Sequence, residues 1–241
     1  MQLLISVVNS QEAQAAANGG ADIVDVKNPS EGALGANFPH IIRSVREQTP
    51  IELPVSVAIG DAPNKPGATA LAALGAAYSG AQFVKVGLYG TATSQQAVFL
   101  LKGVCRAVRD YDASIKIIAA AYADAQEIGA FPVEQAPAVA IEAGADGCML
   151  DTAGKSGDSL FSHLGDEELR QFVQNCHNGG LVCALAGSLS AEDIPRISAI
   201  GPDIIGFRTA ACDGDRVSGV IKRQQVEQLK TLIAEAAGSL S

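Results

Sequence analysis

Apolar positions in this chain come in short blocks separated by longer mixed segments. Apolar, β-branched runs fall at residues 3–8, 23–27, 53–59, 83–88, 115–121, 146–150, 181–186 and 203–207, and each predicts a strand. The segments between them carry helical patterning. An Ala-rich helix opens at Ser10, read as its N-cap, and stops at Gly19-Gly20. Further helices are predicted over residues 40–48, over an Ala-rich stretch ending near Gly80, and over 94–110, 133–143 and 167–177. Ser190-Ala191-Glu192-Asp193 reads as an N-cap with an acidic first turn, and a last helix is predicted over 217–237. Eight strands, each followed by a helix and spaced by roughly 25–35 residues, predict a single (β/α)8 TIM barrel over residues 1–241. A doubly wound sheet is the runner-up, but no G-x-G-x-x-G follows the first strand and no composition break marks a second domain.

Composition narrows the class. The chain has 241 residues, 48% of them hydrophobic, which suits one large core. The net charge of −9 argues against a nucleic-acid surface and against attraction to anionic membranes. No apolar run approaches the roughly 20 residues of a membrane span. The N-terminus runs straight into a strand without a basic segment and cleavage site, so a cytoplasmic protein is expected. Five cysteines, widely spread and without a C-x-x-C pair, read as reduced and mostly buried thiols. His40, His163 and His177 lack metal-ligand spacing, so neither a metal nor another cofactor is expected. The Ala/Gly-rich helices permit packing against a second copy in a homo-oligomer, and equally suit packing onto the barrel.

The second strand carries the first chemical signal. In Ala21-Asp22-Ile23-Val24-Asp25-Val26-Lys27-Asn28-Pro29, strand alternation puts Asp25 and Lys27 on one face, and Asn28-Pro29 ends the strand. A Gly/Pro/Asn-rich loop over 28–39 follows, long enough to suggest a functional role. Barrels of this type place their active site at the C-terminal strand ends. The polar residues expected there are Asp25 and Lys27, Lys85 in the fourth strand, Asp124 after the fifth, Asp151 ending the sixth with Lys155 in its loop, and Arg208 ending the eighth. Lysines crowded in an apolar mouth repel one another and are poorly solvated, which raises the fraction of free amine, the nucleophile of Schiff-base chemistry. A neighbouring carboxylate can relay protons. The plainer alternative, an interior ion pair with no catalytic role, remains open for each lysine. The loops after strands seven and eight add Gly187, Ser188 and Arg208 as phosphate-binding candidates, although Gly187 and Ser188 also suit an ordinary turn. Together these imply an enzyme of lysine imine chemistry on a phosphorylated carbonyl compound, a triose or sugar phosphate.

Several segments resemble the (5-formylfuran-3-yl)methyl phosphate synthases. They are 22–29, 31–39, Lys85-Val86-Gly87-Leu88-Tyr89-Gly90, Tyr122-Ala123-Asp124-Ala125, Met149-Leu150-Asp151-Thr152-Ala153, Cys183-Ala184-Leu185-Ala186-Gly187-Ser188, and Arg208 with Ala210-Ala211-Cys212. The resemblance implies a lyase of methanofuran biosynthesis. Two molecules of glyceraldehyde 3-phosphate would condense and cyclise to a furan aldehyde phosphate, with loss of phosphate and water. It also implies Lys27 as the Schiff-base lysine, Lys85 as proton acceptor, and Asp25, Asp151 and Lys155 as further active-site positions. Where the family pattern has glycine after the eighth-strand arginine, this chain has Thr209, which could crowd a phosphate contact or supply a hydroxyl. Another class I aldolase on the same barrel, and a phosphate-ligand sensor without turnover, are the competing readings.

Overall fold

In the computed structural model, which describes residues 1–61, 64–154 and 158–238, eight strands close into a parallel barrel in sequence order. They are β1 (Gln2–Val7), β2 (Ile23–Val26), β3 (Val55–Ala58), β4 (Phe83–Gly87), β5 (Lys116–Tyr122), β6 (Gly147–Asp151), β7 (Val182–Leu185) and β8 (Ile204–Phe207). The helices α1 (Ser10–Asn18), α2 (Pro39–Gln48), α3 (Pro66–Tyr78), α4 (Ser94–Arg109), α5 (Ala125–Ile128), α6 (Ala136–Ala143), α7 (Leu160–His163), α8 (Asp166–Asn178), α9 (Ile194–Ile200) and α10 (Arg223–Gly238) lie between and after them. Among the described residues no helix is long and apolar enough to cross a membrane.

The two faces of each strand feed two separate cores. Leu3, Ile5, Val7, Val24, Val26, Val55 and Val57 pack outward with the helices. Leu4, Ile23, Ala58, Ile118, Ala120, Tyr122, Met149, Ala184, Ala186 and Ile204 fill the barrel interior, and Ala33 and Leu34 of the 28–39 loop join them. Both faces are therefore dry, which is why the strands read as near-continuous apolar runs. Alanine at 58, 120, 184 and 186 keeps the interior from being filled by hydrocarbon alone. Lys85, 2% exposed, lies within it beside Leu4, Ile23, Phe83, Ile118 and Met149.

Three boundaries differ from the sequence expectation. Asn9 caps α1, its side chain accepting from the Glu12 N–H at 2.9 Å, so Ser10 is the first helical residue rather than the cap. Residues 133–143 begin with a short 3-10 turn, Val133–Gln135, before α6. The last helix starts at Arg223, because the preceding stretch forms a hairpin of β9 (Cys212–Asp213) and β10 (Val220–Ile221). Its turn is set by Asp215, whose carboxylate accepts from the N–H groups of Val217 and Ser218 and from the Ser218 hydroxyl, so local side-chain bonding displaces helix there. All five cysteines are free and buried.

A buried ion pair locks the barrel seam. Arg208, just past β8, donates from Nη1 to Glu12 Oε2 at 2.9 Å and to the Ser6 carbonyl at 3.0 Å. Its Nη2 reaches Glu12 Oε1 and the Gly219 carbonyl, and its Nε the Arg216 carbonyl. Glu12 also accepts from the Val8 N–H at 2.9 Å. Removing one partner of such a pair strands a buried charge at a cost of about 3–5 kcal/mol. We expect Glu12→Ala to lose about that much stability, read as a lowered urea midpoint; a midpoint unchanged from the parent would show that the pair is dispensable.

Candidate active site

The C-terminal mouth of the barrel holds two lysine–carboxylate pairs, one above the other. The lower is Lys85 with Asp25: Nζ donates to Oδ2 at 2.7 Å, and the two side chains are 2% and 0% exposed. Ser6 on β1 donates to the same oxygen at 2.9 Å. The other oxygen, Oδ1, and the hydroxyl of Ser56, which sits in register beside Asp25 on β3, make no hydrogen bond with the described residues. The upper pair is Lys27 with Asp151, at 3.6 Å. Lys27 follows β2 by one residue and is anchored by its own N–H donating to the Val7 carbonyl. Asp151 ends β6 and accepts the Thr152 N–H at Oδ1.

Burial and mutual charge tune these groups in different ways. Burial pushes the Asp25 carboxyl up, but the ammonium groups of Lys85 and Lys27 outweigh it and hold Asp25 below the usual carboxylate range. Burial pushes the Lys27 amine down, Lys85 and Arg216 reinforce this, and Asp151 and Asp25 only partly oppose it. Lys27 thus combines a position at the mouth, a long contact to its carboxylate and a depressed pKa, which is what an attacking amine needs.

The remaining expected residues divide. Asp124 is buried and accepts from the N–H groups of Ala153 (3.0 Å) and Gly154 (2.6 Å), so it pins the loop after β6 and does not face the lysines with a free carboxylate. Lys155 lies outside the described residues. Gly187 and Ser188 make a turn with φ of +109° and +49°. A Cβ on Gly187 would meet the Thr152 side chain at 2.9 Å, so only glycine fits between these two strand ends. Ser188 is the one described non-glycine residue with positive φ, a strain that tends to persist at ligand-binding sites. Together with Gly154, Ser190, Thr209, Ala210, Asp215 and Arg216 it borders a cavity of about 370 Å³. Arg208 does not face that cavity with free donors; every N–H of its guanidinium is turned onto protein acceptors. The sequence expectation of a phosphate fork at 208 is therefore replaced by a strut, for which Glu12 supplies the counter-charge.

Sequence reasoning overlooked Ser6, Ser56, Asp61 and Arg216, and met Tyr122 only as part of a matching segment. Ser6 and Ser56 could have been found from strand parity, since each is the lone hydroxyl of an apolar strand. Arg216 had no signal, being placed by a hairpin whose second half was read as the start of the last helix. Among the described residues no group of His, Cys, Asp and Glu has the geometry to hold a metal ion.

This arrangement can be set beside known proteins. The profile of a family described as 4-HFC-P synthase matches residues 3–230. The chain belongs to that family. Relatives named (5-formylfuran-3-yl)methyl phosphate synthase are 52% identical in Methanocaldococcus jannaschii, over 96% of this chain and 99% of theirs, and 51% identical in Methanothermobacter thermautotrophicus, over 97% and 99%. With the family comes the status of an enzyme, a synthase of the lyase class. Among solved structures, 3-hexulose-6-phosphate synthase from Salmonella typhimurium shares the barrel, with a TM-score of 0.69 over 98% of this chain and 100% of that one at 16% identity.

Asp151 is the main group holding the Lys27 pKa up against burial. In Asp151→Asn we expect that pKa to fall further. The free-amine fraction rises with pH through the pKa, so the midpoint of Lys27 reductive methylation by formaldehyde and cyanoborohydride, mapped by mass spectrometry, should move to lower pH. A midpoint at or above that of the parent protein would contradict the assignment.

Proposed function

We propose that this enzyme condenses two molecules of glyceraldehyde 3-phosphate into (5-formylfuran-3-yl)methyl phosphate, with loss of phosphate and water, through an imine on Lys27. The observation that carries this reading is the stacked pair of buried lysines, of which Lys27 has the lowered pKa and Lys85 keeps a 2.7 Å bond to Asp25. Lys27 attacks the aldehyde carbon and the carbinolamine loses water. Asp151, 3.6 Å away, takes and returns the proton at that nitrogen. Lys85, with Asp25 as its proton partner, moves the proton at the adjacent carbon so that this molecule isomerises toward a dihydroxyacetone-phosphate-like enamine, which attacks the second molecule. Lys155 is proposed as a further active-site residue on the family resemblance alone. The family membership and the names of the relatives support the product, and the cytoplasmic synthesis of methanofuran or an analogue is the setting they suggest.

The phosphate is assigned to the cavity beside Gly187, where Ser188, Ser190 and Thr209 offer hydroxyls and Arg216 a guanidinium. Arg208 shapes that cavity by holding the Arg216 and Gly219 carbonyls. Arg216 gives a chain of net charge −9 a cation at this cavity, where a dianion would need one.

Incubation with glyceraldehyde 3-phosphate followed by borohydride should leave a reduced adduct on Lys27, absent in Lys27→Met, and the unreduced mixture should gain a furan absorbance. Intact triose phosphate with no adduct on any lysine would overturn the reading. Arg216→Met should raise KM about tenfold or more with kcat little changed, since a hydrogen bond to a charged group contributes roughly 1.5–3 kcal/mol.

A further inference from the structure

One polar pair at the mouth takes no part in the scheme above. The Tyr122 hydroxyl donates to Asp61 Oδ1 at 2.5 Å. Tyr122 ends β5, in register with Asp151 on β6, and its side chain is 1% exposed within the interior cluster. Its ring is held by an edge contact with Tyr89, centroids 6.2 Å apart. Asp61 comes from the loop after β3. Gly87 shows where the pair sits. A Cβ there would fall 1.9 Å from Asp61 Oδ1 and 3.2 Å from the Tyr122 hydroxyl, so the pair fills the space a side chain at 87 would take. Position 87 is the next one after Lys85 on the same face of β4. The pair therefore lies directly above Lys85, with Asp151 as neighbour.

We propose that the Tyr122 hydroxyl is the proton donor for loss of water from the condensed intermediate, with Asp61 as the positioning residue that resupplies it. The proposal rests on the imine reading. Phosphate leaves as a stable anion, whereas hydroxide leaves poorly unless protonated, and the reaction must expel a hydroxyl. The lysines are poor sources for that proton: Lys27 carries the imine and Lys85 is bound to Asp25. The coupling leaves an iminium on Lys27; Lys85 takes the remaining proton from the carbon that made the new bond and restores an enamine, whose nitrogen pair then forms C=N while its π pair forms the new C=C and the C–O bond to the hydroxyl breaks. The departing oxygen takes the Tyr122 proton and leaves as water. The phenolate then recovers a proton from the Asp61 carboxyl, which is refilled from solvent. No oxidant or reductant is involved.

The surroundings set the protonation states that this assignment uses. Burial raises the Asp61 carboxyl, and the Asp151 charge adds to it, against the hydrogen bond from Tyr122 and the backbone of Leu34. Burial, Asp61, Asp151 and Asp124 keep the Tyr122 phenol protonated well above its ordinary range. Asp25 is held ionised and cannot serve as the acid.

The test is Tyr122→Phe, which removes one oxygen and keeps the ring contact with Tyr89. Borohydride trapping on Lys27 should stay within about twofold of the parent protein while furan formation falls about 10²-fold or more. The reduced Lys27 peptide should carry an adduct heavier by the elements of water. Asp61→Asn still accepts from Tyr122 but cannot return a proton, so it should show the same split to a smaller degree; it decides the matter if Tyr122→Phe has a lowered melting temperature. Furan formation within about threefold of the parent in both variants would overturn the proposal. So would equal loss of trapping and furan in a variant that melts normally, because the pair would then serve imine formation or the site's shape. Absence of any lysine adduct in the parent protein is a different result, which removes the imine reading itself.

Discussion

A lysine and an aspartate, both almost wholly out of water, meet at 2.7 Å inside the barrel, and much of the mouth is arranged around that contact. Either charge alone would be costly in this interior, because desolvation of an unpaired ion exceeds anything packing can return. Paired, they place a fixed dipole beneath the opening. Ser6 supplies a further donor to Asp25, and the charge of Lys85 bears on Lys27 above it. The depressed amine of Lys27 is thus a consequence of what lies under it as well as of its own burial. The two lysines are made different by position, although they are the same residue type.

The barrel makes such a pair affordable through its two dry faces. Outward side chains pack on helices and inward ones fill the lumen, so strand alternation acts as a switch between structural and chemical positions. Along β2 the inward set is Ile23, Asp25 and then Lys27; along β4 it is Phe83, Lys85 and then Gly87. In each strand the polarity of the inward residue rises or its size falls toward the C-terminal end. Small side chains at Ala58, Ala120, Ala184 and Ala186 leave room for the long lysine stem, and the 28–39 loop returns Ala33 and Leu34 to the lumen.

Charge around the opening is sorted by partner. Arg208 is consumed by Glu12 and three carbonyls, which closes the seam between the last strand and the first. Asp215 is held by its own turn, with a pKa of about 2. Asp61 is buried beside Tyr122 and shifted upward. One rim therefore presents ionised carboxylate, neutral hydroxyl and cation at separate points.

The alternation of strand and helix, the barrel and the placing of Lys27, Lys85, Asp25 and Asp151 at strand ends were all legible in the sequence. Each depends on local periodicity or on the rule that parallel barrels open their sites at one end, and neither needs knowledge of distant contacts. The resemblance in the strand-end segments was legible for the same reason, and it led to the family. Tertiary structure alone decided the partners. Arg208 meets Glu12 across almost the whole chain, Tyr122 meets Asp61 across two strands, and Arg216 reaches the cavity because it lies in the turn of a hairpin that runs into the start of the expected last helix. These contacts join segments far apart in sequence, and a guanidinium or carboxylate looks the same in the sequence whether it faces a ligand or a neighbouring backbone. Only the packed structure shows which donors are already used.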